Sequence, residues 1–153
     1  MQPTRDRARC RVRRVALAAL AVVAAAGSGV ALGQTLPGGV TDTPWQLQRI
    51  QYMDDSETVP ADPTRYTLRL GSDGSVQLRA DCNRGMGGFE ADGSLLRFEP
   101  IALTRALCPP GSIDSEFVRE LSNVVSYVLD GGTLALATAL DTSILSFEAA
   151  PEK

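Results

Sequence analysis

The chain has 153 residues, 44 % of them hydrophobic, with 18 acidic against 15 basic side chains, a net charge of −3 and no histidine. Without imidazole, Ser-His-Asp and Cys-His nucleophilic catalysis and any histidine-ligated zinc site are excluded. An acidic balance argues against nucleic acid and against anionic membrane as partners.

Six arginines, Arg5, Arg7, Arg9, Arg11, Arg13 and Arg14, precede an apolar run from Val15 to Ala26, which loosens into GSGVALGQ. A basic start, an apolar stretch of about 7–15 residues and small residues at its exit make a secretion signal, so residues 1–33 read as a signal peptide. Ala31 and Gly33 offer the small side chains that a signal peptidase pocket accepts, which sets cleavage near Gly33/Gln34 and sends the product to the periplasm or the medium. The alternative is an N-terminal membrane anchor: residues 15–33 approach the roughly 20 residues of a bilayer span, but their Ala and Gly contribute little transfer energy. Membrane contact would then run through the leader alone. Gln34 stands where a lipidated chain would need cysteine, and Cys10 lies before the apolar run. Cleavage leaves nine basic and seventeen acidic side chains, a net charge of −8, and a length suited to one domain.

Residues 34–43, QTLPGGVTDT, lack periodicity and carry turn formers, and are expected to form a flexible tether. The domain follows over residues 44–150. In WQLQRIQY, Trp45 and Leu47 and then Ile50 and Tyr52 alternate with a one-residue slip, the pattern of a bulged strand. Residues 53–65 are acidic and proline-bearing, a surface loop. Tyr66, Leu68 and Leu70, then Val76, Leu78 and Ala80, alternate around GSDGS and predict a hairpin. Continuing the period of two puts Cys82 on the inward face. Further hairpins are expected at residues 90–94 and 129–133, with strands around residues 88–91, 95–99, 126–130, 133–138 and 143–149.

One helix is predicted, over residues 113–125. Ile113, Phe117, Leu121, Val124 and Val125 form its apolar stripe, while Arg119, Glu120 and Ser122 face away. Ser112 can cap it, and Asp114 and Glu116 suit the positive end of its dipole. The class is therefore α+β, with about eight short strands in a mainly antiparallel sheet that curls toward a barrel to limit exposed edges.

Two thiols, Cys82 and Cys108, remain in the mature chain, too few for a cysteine-only zinc site. An even count in an oxidising compartment points to a bridge, worth about 3.5 kcal/mol in the chain-entropy view; two buried free thiols, or a reactive pair, are the other readings. Gly85, Gly87 and Gly88 resemble a phosphate cradle only in composition, because Phe89 leads into another strand instead of a helix start. A tight corner, with Asn83 tolerating a left-handed backbone, accounts for the same residues. Asp54, Asp55, Glu57, Asp62, Asp81, Glu90 and Glu99 offer carboxylates, and a pair could perform acid–base hydrolysis, but the sequence selects no pair and a solvated acidic loop is the default account. Calcium-loop spacing is missing. No catalytic, cofactor-binding or metal-binding residues are assigned, and no cofactor is expected.

A tryptophan-led first strand, a hairpin with an internal Asp-Gly, CNRGMGGFEADGSLLRF, TRALCP, a short helix and YVLDGGTLAL follow one another over residues 43–148. This order resembles the META domain family, the HslJ-like heat-shock-type exported proteins. Cys82, Asn83 and Arg84 match its Gly-Cys-Asn-Arg motif with Asp81 replacing the glycine, and Thr104 and Cys108 match its Thr-x-Met-Ala-Cys motif with Ala106 and Leu107 replacing Met-Ala. The resemblance implies an exported β-rich domain linked to envelope stress, without catalytic residues. The expected function is a non-enzymatic module that binds a protein or a small envelope ligand. The alternatives are an inhibitor of a secreted hydrolase, presenting a disulfide-braced loop such as residues 83–88 or 109–112, and a carboxylate-dependent hydrolase.

Overall fold

Residues 36–151 are described by a computed structural model; the signal peptide or anchor expected over residues 1–33 lies outside the described residues. The alternation that starts at Trp45 becomes β1 (Trp45–Tyr52), which buries Trp45, Leu47 and Ile50 and carries the expected bulge as a register slip between Leu47 and Arg49. The acidic loop folds back on it as β2 (Glu57–Thr58) and then makes a 3-10 turn at Pro63–Arg65, capped by the Asp62 carboxylate. β3 (Tyr66–Leu70) and β4 (Ser75–Ala80) form the first predicted hairpin, and β5 (Asn83–Asp92) and β6 (Leu95–Phe98) the second. After β7 (Ala102–Leu103) come α1 (Asp114–Ser122), β8 (Val124–Asp130), β9 (Thr133–Thr138) and β10 (Ser143–Ala149). The β8–β9 loop is Gly131-Gly132 with φ of +54° and +88°, the left-handed pair that a tight two-residue hairpin demands.

Eight strands close on themselves in the order β1, β3, β4, β5, β6, β8, β9, β10, each antiparallel to the next, with β10 returning to β1. Closure removes the long unpaired edges that so many short strands would otherwise expose. The fold is thus the α+β barrel with one helix that the sequence predicts. The seams are uneven: β10 follows β1 from Trp45 to Tyr52, whereas β6 registers with β8 only at Leu95 and Ser126.

Four expectations are corrected. The helix ends at Ser122, and Val124 and Val125 open β8 instead, since adjacent β-branched residues fit a pleated strand better than a helix turn. Glu120 is buried at 6 % exposure rather than facing away. It does so because, three residues after Phe117 and seven after Ile113, it falls on the same side of α1, the side laid across the barrel end where β1 and β4 finish. There Phe117 packs edge-on against Tyr66 (5.9 Å between centroids) and tilted against Phe147 (6.1 Å). Ser112 reaches the Asp114 N–H (3.3 Å), but Ile113 occupies the cap position. From Leu36 onward the expected tether is part of the domain. Leu36 and Val40 are buried, the Trp45 indole N–H donates to the Val40 carbonyl (3.0 Å), and the Asp42 N–H donates to Leu70 (2.7 Å). Two apolar side chains among turn formers suffice to fold this run over the opposite barrel end, each burial stabilising by about 1.5–3 kcal/mol.

Candidate functional site

The site begins where β4 stops. The ladder ends at Ala80, and Asp81 and Cys82 form a two-residue turn before Asn83 pairs back with Ala80. Asp81, not Asn83, takes the left-handed backbone (φ +57°). Its buried carboxylate is held by the Arg65 guanidinium. Because the period of two is broken by this turn, Cys82 points to solvent, contrary to the inward orientation expected from counting along β4. It is bonded to Cys108 with a Cα–Cα separation of 5.5 Å. The bridge expected from the cysteine count exists, but on the surface; the buried positions beside it belong to Asp81 and Asn83.

Asn83 is 2 % exposed and its amide is fully engaged. Oδ1 accepts from the Ala106 N–H (2.8 Å) and the Thr104 hydroxyl (3.0 Å). Nδ2 donates to the Ala106 carbonyl (3.1 Å) and to Asp114 Oδ2 (3.2 Å), with Cys108 Sγ at 3.3 Å. Two lone pairs and two N–H groups are the whole inventory of a carboxamide, and here each is used. The Ala106 N–H fixes which end of the amide is oxygen. Arg84, next in the motif, contributes its backbone: its N–H donates to Thr104 Oγ1 (3.0 Å) and its carbonyl accepts from the Thr104 N–H (2.9 Å), while its side chain is exposed. The matched residues Cys82, Asn83, Arg84, Thr104 and Cys108 therefore meet in one place, where the β4–β5 corner grips residues 104–108 by side-chain amide, backbone and disulfide. The start of α1 is drawn into the same cluster by Asp114, whose Oδ1 accepts from Ser112 (3.1 Å), and by the Tyr66 hydroxyl, which accepts from the Ile113 N–H (3.0 Å). Between the clamped Ala106 and the bridged Cys108 stands Leu107, wholly exposed. The sequence departs from the family motif here, and only the bracing on both sides reveals what an apolar side chain at this position faces.

The glycines do not form a cradle, since all three lie within β5. A Cβ on Gly85 would sit 2.8 Å from Ile101 Cγ2 and 2.9 Å from Leu78, and one on Gly87 3.2 Å from Ile101. Their missing side chains let the segment leading into β7 lie close over β5 and deliver Thr104 to Asn83. The carboxylates that the sequence offers are dispersed. Asp54 accepts from Ser56 and Asp62 from Thr64, which holds both below the ordinary carboxylate range, while Glu57, Glu90 and Glu99 lie on the surface. A separate polar network secures the middle of α1: Glu120 accepts from Ser143 Oγ (2.8 Å) and Arg119 Nε (3.0 Å), and Tyr52 donates to Glu116. Burial, with the Glu116 carboxylate adding to it, pushes the Tyr52 hydroxyl up to about 12. On the outer face of β3, β4 and β5, Arg69, Arg79 and Arg84 flank a shallow trough of about 430 Å³ floored by the Leu68, Leu78 and Gly85 segments.

Comparison with known proteins finds the same fold elsewhere. A solution structure of a protein from Burkholderia xenovorans is similar over 74 % of this chain and 85 % of its own, with 20 % identity and a TM-score of 0.62. A crystal structure of a DUF4847 family protein from Bacteroides vulgatus is similar over 74 % of this chain and 96 % of its own, with 15 % identity and a TM-score of 0.54. At these identities the likeness speaks for the fold alone. No curated protein matches this chain. The META domain profile matches residues 38–151, a span that starts inside the run docked on the barrel end and includes both gripping segments; the chain belongs to the META domain family.

Proposed function

We propose that this META-domain protein is an exported, non-enzymatic binding module of the bacterial envelope, which presents residues 104–108 to a protein partner. The arginine-rich leader with its apolar core and small exit residues supports export. The observation that carries the binding reading is how the family-motif residues are used. Asn83, Thr104 and the Cys82–Cys108 bridge are all spent on holding one surface segment, and Leu107 on that segment touches nothing. With the backbone on either side of the exposed apolar side chain already held, little main-chain freedom is lost when it is covered, the condition under which a small contact gives useful affinity.

The test is a photo-crosslinking amino acid at position 107 of the full chain, expressed in a bacterial envelope, with the same group at exposed Val59 as control. A discrete adduct specific to position 107 is expected, on a protein whose mass begins near Gln34. Adducts that are absent, or the same from both positions, contradict the reading.

A further inference from the structure

Leu107 is 100 % exposed, yet neither neighbour can let it fold down. On one side the Asn83 amide holds both the N–H and the carbonyl of Ala106 (2.8 and 3.1 Å); on the other Cys108 is bridged to Cys82 and followed by Pro109 and Pro110. The backbone groups alternate. Both those of Ala106 are hydrogen-bonded to Asn83, while among the described residues no hydrogen bond uses the N–H or carbonyl of Arg105 or Leu107. No residue from 104 to 108 has a left-handed φ.

An endopeptidase binds its substrate as an extended strand, pairing with main-chain groups of alternate residues and taking one side chain into a primary pocket. Residues 105–107 offer those groups already arranged, which removes most of the ordering cost of binding. Such complexes form with little backbone movement. The clamp and the bridge also lie on opposite sides of the Leu107–Cys108 peptide bond, so the two ends made by its hydrolysis would be kept together. The exposed bridge narrows the class of enzyme: a thiolate nucleophile brought to this bond would meet the Cys108 disulfide and exchange with it, whereas a hydroxyl nucleophile would not. We infer that residues 104–108 are a substrate-like inhibitory loop for a secreted serine endopeptidase with a leucine-accepting pocket, in which Leu107 is the inserted side chain. This rests on the binding reading above and names its partner.

The test uses protein expressed from the full chain and purified oxidised, with chymotrypsin and subtilisin as apolar-pocket probes and trypsin as the arm that reads Arg105. Inhibition of at least one apolar-pocket enzyme is expected, weakened about 100-fold by Leu107→Ala with no change in thermal midpoint, because the side chain makes no packing contact to lose. Asn83→Ala, which keeps the bridge but frees Ala106, should turn the protein from an inhibitor into a substrate cut after Leu107. The inference is overturned if neither enzyme is inhibited, if Leu107→Ala inhibits as well as the parent, or if trypsin alone is inhibited and Arg105→Gln abolishes it. A position-107 adduct with a protein that is not a peptidase ends this inference and leaves the binding reading standing; loss of both adduct and inhibition ends both.

Discussion

Two polar clusters hold α1 on the end of an apolar barrel, and they are built on different principles. At the helix start, Asn83 is neutral and completely satisfied, so its burial costs little and its geometry is strict. Midway along the helix, Glu120 brings a carboxylate to 6 % exposure with Ser143 and the exposed Arg119 as partners. Burying a charge is expensive even when it is paired. The first cluster is therefore a fastener, whose removal orphans several groups at once. The second is close to break-even, and the helix would stay in place without its charge. The difference teaches that the motif residues matter for what they position, while the costlier group is the more dispensable one.

The largest effect is expected at the bridge. Replacing Cys82 and Cys108 together by alanine should lower stability by about 3.5 kcal/mol, read as a shift of the denaturant midpoint at constant slope. Asn83→Ala should cost about 3 kcal/mol, because the Ala106 N–H and carbonyl and the Thr104 hydroxyl all lose a partner. Gly85→Ala should cost about 1–3 kcal/mol through overpacking against Leu78 and Ile101. By contrast, Glu120→Gln should change stability by no more than about 1 kcal/mol, since the amide can still accept from Ser143; a loss as large as that of Asn83→Ala would erase the distinction between the clusters. The smallest effect concerns Tyr52. Burial and Glu116 favour its neutral phenol, so the unfolded chain gives up that proton from pH 10 and the folded one only toward about 12. The stability from this group is complete below pH 10 and is lost as the pH rises through that window, and Tyr52→Phe should remove this part of the alkaline decline.

The barrel was legible in the sequence because period-two alternation and Gly-rich turns are local signals. Tyr66 to Ala80 and the Gly131-Gly132 turn are found where the pattern puts them. The pairing of Cys82 with Cys108 followed from their number and the leader. The orientation of Cys82 did not, because the ladder is stopped at Ala80 by a left-handed Asp81 whose buried carboxylate depends on Arg65, sixteen positions earlier in the chain. Glu120, three residues after Phe117 and seven after Ile113, falls on the apolar side of the helix, so its burial was legible in the spacing; its partner Ser143, on a strand 23 positions later, was not. Leu36 and Val40 are isolated apolar residues among turn formers, too few to make a periodicity. Leu107 gives no signal of its own; its significance comes from Asn83 and Cys108 on either side.

Asn83 and the disulfide hold residues 104–108 rigid while leaving Leu107 outside. Amide hydrogen exchange through this segment of the oxidised protein tests this most directly. A slow Ala106 amide between fast Arg105 and Leu107 amides, with the slow one released by Asn83→Ala, is the predicted result. Equal, rapid exchange at all three in the unmodified protein would contradict the account.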